Sequence, residues 1–421
     1  VNNQTLLTEL AAVIGADYVC AAEAVLPAEW HAPLGVVSPG DATQVAEIVR
    51  AAETAGTALV VFGGGTQLQT GYPPRTDKPY LLLSTARMNR ITDFQPEDLT
   101  ATCEPGVTLE TLQARLAERR LAVALDVPLP GQATVGGIVS SGRTGFNRPV
   151  YGAPRDVVIG LRAVMSGGAD VKGGGKVVKN VAGYDVCKLF TGAWGTLGVI
   201  TEVTLRLRTK PEIDRMLAWS APDLATAARV GLKLHHERLA GVSFLATNEI
   251  DGRPQLAVGL QGANARVEWQ ATEYGRIAAA EGLTAAPVIL TSEQVGVWRD
   301  RQARLDPDIA WAAQITCLPT RISELLKRLG NLPQIACTAH CATGIVSLAA
   351  PVPEPAPVPQ LSQMLPPDAA LVWTRLNGND AAMQDVDLWG KPRPEFALHR
   401  ALKQALDPKA TFSPGRFYGR L

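Results

Sequence analysis

A chain of 421 residues exceeds the roughly 250–300 at which single hydrophobic cores usually divide, so two domains are expected. Its 40 Lys and Arg are balanced by 40 Asp and Glu, which leaves no basic surplus for holding nucleic acid or an anionic membrane surface. Hydrophobic residues reach 46%, ample for a core, and many of the 39 glycines fall in a few clusters, where backbone turns at positive φ or approaches a ligand closely.

The opening residues, Val1-Asn2-Asn3-Gln4-Thr5, offer neither a basic nor an apolar leader, and no stretch comes near the ~20 apolar residues of a membrane span. A cytoplasmic location is expected, with any membrane association made through partners. Residues 1–29 read as an N-terminal segment. Gly35 to Pro39 reads as a short strand. Asp41 is placed to cap an amphipathic helix over about 41–55, with Val45, Ile48 and Val49 on one face and Gly56 at its end. Ala58 to Phe62 is a buried strand that runs into Gly63-Gly64-Gly65-Thr66. Strand-like segments follow at 80–84, 91–94 and 100–104, then a helix at about 108–118 capped by Thr108. The glycine-rich stretch 130–146 carries few helix or strand signals. Arg155 to Met165 and Gly198 to Leu207 read as strands, with a short helix near 185–191 between them.

After Pro211 the pattern changes. Strand-like segments at 215–220, 241–246 and 255–261 alternate with helical ones at 222–236 and 265–281, and a second round follows with strand 310–317, helix 320–329 and strand 344–349. This is the pattern of an antiparallel sheet with helices on one face. The seven prolines of 351–367 forbid regular helix or central strand there, so that run reads as a loop or an insertion within the second domain. A last helix at about 395–406 precedes Asp407-Pro408. The implied division is a first domain over 30–212, a cap domain over 213–390 and a C-terminal segment, 391–421, that returns to the first domain.

The six cysteines form no Cys-x-x-Cys pair, so no iron–sulfur or structural zinc site is expected. Cys337, His340 and Cys341 offer at most three ligands, and core packing is the simpler reading of these cysteines. Low cysteine density fits a reducing compartment.

Three glycine clusters carry the functional argument. The first, Phe62-Gly63-Gly64-Gly65-Thr66-Gln67, follows a strand, and its successive N–H groups are free to converge on phosphate oxygens. The second, Pro130-Gly131-Gln132-Ala133-Thr134-Val135-Gly136-Gly137-Ile138-Val139-Ser140-Ser141-Gly142, mixes small and apolar residues as a backbone surface laid against a flat ligand would. The third, Gly192-Ala193-Trp194-Gly195-Thr196-Leu197-Gly198-Val199-Ile200, leads into an alternating strand. The turn at 63–65 lacks the third glycine of a dinucleotide fingerprint, and Gly175-Lys176 is followed by Val177, which breaks a P-loop.

In this order and spacing the clusters resemble the FAD-binding domain of the vanillyl-alcohol oxidase family, and within it the flavin subunits of glycolate oxidases (glycolate dehydrogenases). Lys176 to Asp185, the Trp194 cluster and the tail from Asp407-Pro408 to Pro414-Gly415-Arg416-Phe417 are closer to the smaller of those subunits. The resemblance implies an α+β fold: a two-subdomain FAD-binding domain plus an antiparallel-sheet cap with helices on one face. It implies FAD, with the pyrophosphate at Gly63, Gly64, Gly65 and Thr66, and Gln67 beside it. Pro130, Gly131, Ala133, Thr134, Gly136, Gly137, Ser140 and Gly142 would line the adenosine and flavin channel. Gly195, Gly198, Val199 and Ile200 would close the other side. Relatives with covalent flavin carry His after the glycine turn; Thr66-Gln67 here implies non-covalent binding.

The resemblance further implies oxidation of a small 2-hydroxy acid, glycolate to glyoxylate, in a complex with a sister flavoprotein and an iron–sulfur subunit that receives the electrons. The alternative is a self-sufficient dehydrogenase for glycolate or D-lactate. Catalytic relatives carry two histidine stretches in the cap, for metal or substrate. His340-Cys341-Ala342-Thr343-Gly344 keeps one His and one Gly of the first, and the second is missing, which favours the complex. His340 is thus either a substrate contact or a packed histidine. Lys176 and Lys179 either hold a carboxylate or phosphate or lie in a solvated loop. Asp185 reads as a helix cap, and Trp194 as a flavin neighbour or core filler.

Overall fold

Three sheets organise the described residues, which are 3–21, 30–75, 77–176, 184–330, 335–351, 358–376, 386–390 and 393–421 of this computed structural model. In the first sheet Val36–Val37, Tyr80–Ser84 and Ala58–Phe62 lie parallel in that order, and Val19–Cys20 adds an antiparallel edge. Helix Ala42–Ala55 covers it, its first turn capped by the Asp41 side chain, which accepts from the Gln44 amide, and its end closed by left-handed Gly56. Helix Asn3–Ile14, absent from the sequence reading, packs Leu6, Leu10 and Ile14 into the same core.

The second sheet is antiparallel, in the order Ile91–Gln95, Thr100–Cys103, Val199–Thr209, Val158–Val164, Asp170–Gly174, with Leu121–Val123 also paired to the long strand. The strand expected from Arg155 begins at Val158, because Pro154–Val157 forms a helical turn that uses proline's fixed φ at its start.

The segment 130–146 is not devoid of regular structure. Thr134 accepts from the Gly137 amide and caps helix Val135–Ser141, and left-handed Gly142 ends it. Two interior glycines, each costing about 0.8–1.0 kcal/mol relative to Ala, hide this helix from propensity. Burial of Val135, Ile138 and Val139 outweighs them.

Residues 213–376 build the third sheet, eight antiparallel strands in the order Val288–Leu290, Ile213–Ser220, Gln255–Gly262, Ser243–Thr247, Ala336–His340, Ile345–Pro351, Ile309–Thr316, Ala370–Leu376. Helices Leu224–His236, Asn264–Ala280 and Ile322–Leu329 pack on one face through Leu217, Trp219 and Val258. The alternate residues Met216, Ala218 and Ala257 face the other way and meet Phe146 from the glycine-rich segment and Trp298. The expected loop at 351–367 contains helix Val358–Met364; its proline, Pro359, stands in the first turn, where no intrahelical bond is lost. Residues 352–357 of that run lie outside the described residues.

The C-terminal segment returns to the first sheet. Leu59 N–H donates to the Thr411 carbonyl at 2.7 Å, and Ser413 N–H donates to the Leu59 carbonyl at 2.8 Å.

Candidate functional site

The first two glycine clusters are stacked on each other. A Cβ on Gly63 would stand 2.0 Å from Thr134 Oγ1, and one on Gly64 would stand 1.8 Å from the Gln132 carbonyl oxygen. These two glycines are required by protein packing before any ligand is considered. The third cluster is tied to the second by Trp194 N–H to the Ser140 carbonyl at 2.8 Å and Gly192 N–H to the Val139 carbonyl at 3.0 Å. Together they wall a cleft between the first two sheets.

Gly63, Gly64, Gly65, Thr66 and Gln67 line one side of it. Ala133, Thr134, Gly136, Gly137 and Ser140 form its floor, and Gly195, Gly198 and Ile200 its far wall. Four expected positions lie elsewhere. Val199 alternates to the opposite side of its strand and is fully buried in the core with Val164. Pro130 lines a separate cleft, beside Asp126. Gly131 is exposed beside Glu110. Gly142 is a helix cap that lines an adjoining cavity. Lys179 lies outside the described residues, and Lys176 pairs with Asp93. Asp185 caps helix Val186–Phe190 by accepting from Lys188 N–H.

The cleft lining among the described residues contains no Asp or Glu but two guanidiniums, Arg143 and Arg416. Arg416 is buried, donates to the Leu68, Thr70 and Tyr72 carbonyls, and lies 4.3 Å over the Trp30 ring. Burial pulls both guanidiniums down to about 10, so both stay charged at neutral pH. Small residues that admit a flat ring, with uncompensated cations nearby, suit an anionic dinucleotide such as FAD. Neither arginine was singled out as a site residue from sequence. For Arg143 the available signal was a basic residue inside the run Gly142-Arg143-Thr144-Gly145.

A second cavity of about 220 Å³ opens from the cleft, sharing Gln67, Ser141, Arg143 and Trp194 with it. It is also lined by Arg148, His340 and Trp389, none of which lines the cleft. Trp194 stands edge-on to Trp389 with ring centroids 4.9 Å apart, at the junction of the two spaces. His340, at the end of strand Ala336–His340, is 8% exposed and its Nδ1 has no hydrogen-bond partner. Burial pushes its imidazole down to about 4, with the Arg148 and Arg143 charges acting in the same direction.

A buried network joins the two sides of this cavity. Arg304 donates to both carboxylate oxygens of Glu249 at 2.7 Å, and Glu249 also accepts from Gln302 at 3.1 Å and from Thr338 at 2.8 Å. Burial alone would raise the Glu249 carboxyl, but the Arg304 charge and these donors hold it below its usual range. The Gln302 carbonyl then accepts from Arg143 Nη2 at 2.6 Å. Thr338 lies on the His340 strand, so one network sets both the histidine and the arginine.

Comparison with known proteins agrees with this geometry. Residues 33–173 match the family model described as an FAD binding domain. The glycolate oxidase subunit GlcD of Bacillus subtilis is 34% identical over 227 residues, 54% of this chain and 47% of that protein. The chain thus spans about half of that relative's length. Two matches of lower identity run nearly end to end. The glycolate oxidase subunit GlcE of Escherichia coli is 27% identical over 87% of this chain and 94% of its own. A D-2-hydroxyglutarate dehydrogenase of Xanthomonas citri is 26% identical over 92% and 89%. Among solved structures, p-cresol methylhydroxylase with substrate bound superposes with a TM-score of 0.76 at 16% identity, covering 98% of this chain and 96% of that one. An alkyldihydroxyacetonephosphate synthase gives 0.73 at 15% identity, covering 98% and 86%.

The chain is therefore a flavoprotein whose FAD-binding domain has the vanillyl-alcohol oxidase type of fold. Its residues 33–173 thus share the FAD-binding domain, and the chain is similar in sequence to FAD-linked hydroxy-acid dehydrogenases.

Proposed function

We propose that this protein oxidises a small 2-hydroxy acid at FAD, with glycolate to glyoxylate as its reaction in a complex of the glycolate oxidase kind. The observation that carries the reading is the cavity beside the flavin cleft, lined by Arg143, Arg148 and His340, in which both arginine charges act on a buried imidazole whose Nδ1 has no hydrogen-bond partner. Bound FAD supplies the acceptor for the hydrogen and electron pair leaving the α-carbon. Arg143, which lines both spaces, holds the substrate carboxylate as a bidentate fork. His340 is neutral at working pH and takes the hydroxyl proton on Nδ1 as the carbonyl forms. The Glu249–Arg304 network positions both groups.

Under this reading the clusters at 63–67, 133–140 and 195–200 hold FAD, and residues 30–212 and 213–390 act as flavin and cap domains. Retention is non-covalent, since the cleft lining among the described residues has no His, Cys or Tyr to bond the flavin ring. A sister flavoprotein and an iron–sulfur subunit are the proposed partners, on the full-length similarity to GlcE, which is named as a subunit. Among the described residues no helix is long and apolar enough to cross a membrane, so any membrane attachment is assigned to those partners.

The test is an absorbance spectrum of the purified protein, repeated anaerobically with glycolate, alone and with its co-expressed partners. Flavin bleached in the chain alone supports a self-sufficient dehydrogenase. Bleaching only in the complex supports the subunit reading. A bound flavin that no 2-hydroxy acid reduces in either form overturns both.

A further inference from the structure

The cavity beside the flavin cleft is walled on one side by the third sheet. In the register of that sheet Thr338 stands opposite Ser347 and Ser347 opposite Gln314, on three adjoining strands, with His340 two residues beyond Thr338. His340, Ser347, Gln314 and Thr374 all line the cavity. Among the described residues neither the Gln314 amide nor the Thr374 hydroxyl makes a hydrogen bond. Ser347 Oγ accepts from Arg304 at 3.3 Å, which leaves its own proton to give. The cationic part of the lining is largely matched already. Arg299 pairs with Asp300 at 3.5 Å, and the charge of Asp156 acts on Arg148 in the outer groove that both line. Arg143 is left to take one carboxylate, and the other polar groups that face the space are neutral amides and hydroxyls. The space, about 220 Å³, is many times the roughly 10–15 Å³ that one water requires, so glycolate held on Arg143 does not fill it.

We infer that the acid this cavity takes is a polyhydroxy monocarboxylate of the aldonic-acid kind: a 2-hydroxy acid with further hydroxyls along its chain, which Gln314, Ser347 and Thr374 bind. The inference rests on the reading above that the cavity receives a 2-hydroxy acid, and it makes Gln314 and Thr374 specificity residues. An amide offers both a donor and an acceptor, which matches a hydroxyl that gives one hydrogen bond and accepts another. A plain alkyl chain in the same place leaves the amide and the hydroxyl unpaired, whereas a hydroxylated chain restores their hydrogen bonds. Two strand spacings, about 10 Å in all, separate the His340 strand from the Gln314 strand, a span that suits an acid of about four to six carbons.

The experiment measures binding of unreactive acids to the flavin-loaded protein by titration calorimetry. Acids without an α-hydroxyl, 3,4-dihydroxybutyrate and 2-deoxygluconate, are compared with butyrate and hexanoate. Anaerobic flavin reduction by threonate and gluconate, with their C2 epimers, is compared with that by both enantiomers of 2-hydroxybutyrate and 2-hydroxyhexanoate. The hydroxylated acids are expected to bind at least about tenfold more tightly than the plain ones. Gln314→Met with Thr374→Val, which keeps the volumes and removes the polar atoms, is expected to erase that preference at unchanged flavin content. Thr374→Ser, which keeps the hydroxyl, is expected to retain it. Hydroxylated and plain acids that bind equally well, with 2-hydroxybutyrate still reducing the flavin, overturn this inference and leave the hydroxy-acid reading intact. A preference that survives the double substitution overturns the assignment to Gln314 and Thr374. No binding of any of these acids, and no reduction by any, overturns both the inference and the reading on which it rests.

Discussion

Lys403 and Asp407 form an ion pair of 2.6 Å inside the protein, with side-chain exposures of 9% and 0%. The ammonium also donates to the Thr196 and Phe412 carbonyls, each at 2.7 Å, and the carboxylate accepts from the Thr411 and Phe412 amides, each at 2.9 Å. One helical turn thereby ties the C-terminal tail to the loop that carries Gly195 and Gly198 on the cleft wall. Asp407-Pro408 therefore belongs to a clamp, and no role in chemistry is needed to explain it. Lys403→Met leaves a buried carboxylate unpaired, a loss of about 3–5 kcal/mol. The expected result is a large fall in Tm together with lower FAD content after desalting. Adding Asp407→Asn removes the stranded charge and should recover part of the loss, measured by the same two assays.

The glycines of the cleft make distinct predictions because they are glycine for different reasons. Gly64 has no room for a Cβ against the Gln132 carbonyl, whereas Gly195 has φ 68 and nothing closer than 3.6 Å. Gly195→Ala meets only left-handed strain, about 1–2 kcal/mol. Gly64→Ala must push two loops apart, at a cost at or above the ~1–3 kcal/mol of overpacking. Flavin content per chain, read from absorbance, should fall far more for Gly64→Ala than for Gly195→Ala.

What the sequence made legible divides along physical range. The caps at Asp41, Thr108 and Asp185 and the closing Gly56 are local devices, and each was readable from a few consecutive residues. Helix Val135–Ser141 was hidden because tertiary burial outweighs its glycines. The cleft's glycine clusters were legible as runs, but the side-chain direction of Val199 against Ile200 depends on which face of a strand meets the cleft. Arg143 and His340 escaped pairing because they come from distant parts of the chain and are joined only through the Glu249–Arg304 network. Arg416 was seen as part of a tail motif, and its burial among the Leu68, Thr70 and Tyr72 carbonyls needs the folded chain.

The imidazole of His340 yields a pH prediction. Its value of about 4 in the free protein means that it is neutral, and competent to accept a proton, above that pH. The rate of flavin reduction per substrate concentration, kcat/KM, should then be flat through neutrality and fall only on the acid side, near pH 4. Burial is the larger cause, and Arg148 the larger of the two charges. Arg148→Gln should therefore move the acid limb upward, toward the ordinary histidine value of about 6.5 without reaching it. His340→Asn should lower flavin reduction by about 10²–10⁴-fold, the usual contribution of a positioned base. A structural histidine would lose stability without moving the acid limb.

Asp126 sits apart from the flavin cleft, in the cleft that also contains Asp214 and Tyr151. Burial pushes its carboxyl up to about 7, against the opposing donation from Asn147 N–H at 2.7 Å and the charge of Arg299. The folded value thus lies above the unfolded one. The folded state holds a proton that the unfolded chain has already released, so the stability contributed is full below about pH 4, and it is lost as pH rises through about 7. Asp126→Asn keeps an acceptor for Asn147 N–H and cannot ionise. Its Tm should match that of the parent below about pH 4 and exceed it increasingly between about pH 4 and 7, with a plateau above. Thermal unfolding across that range, followed by circular dichroism at constant ionic strength, measures the effect; equal Tm values for both proteins at every pH would mean that Asp126 is ionised in the fold and that water reaches it.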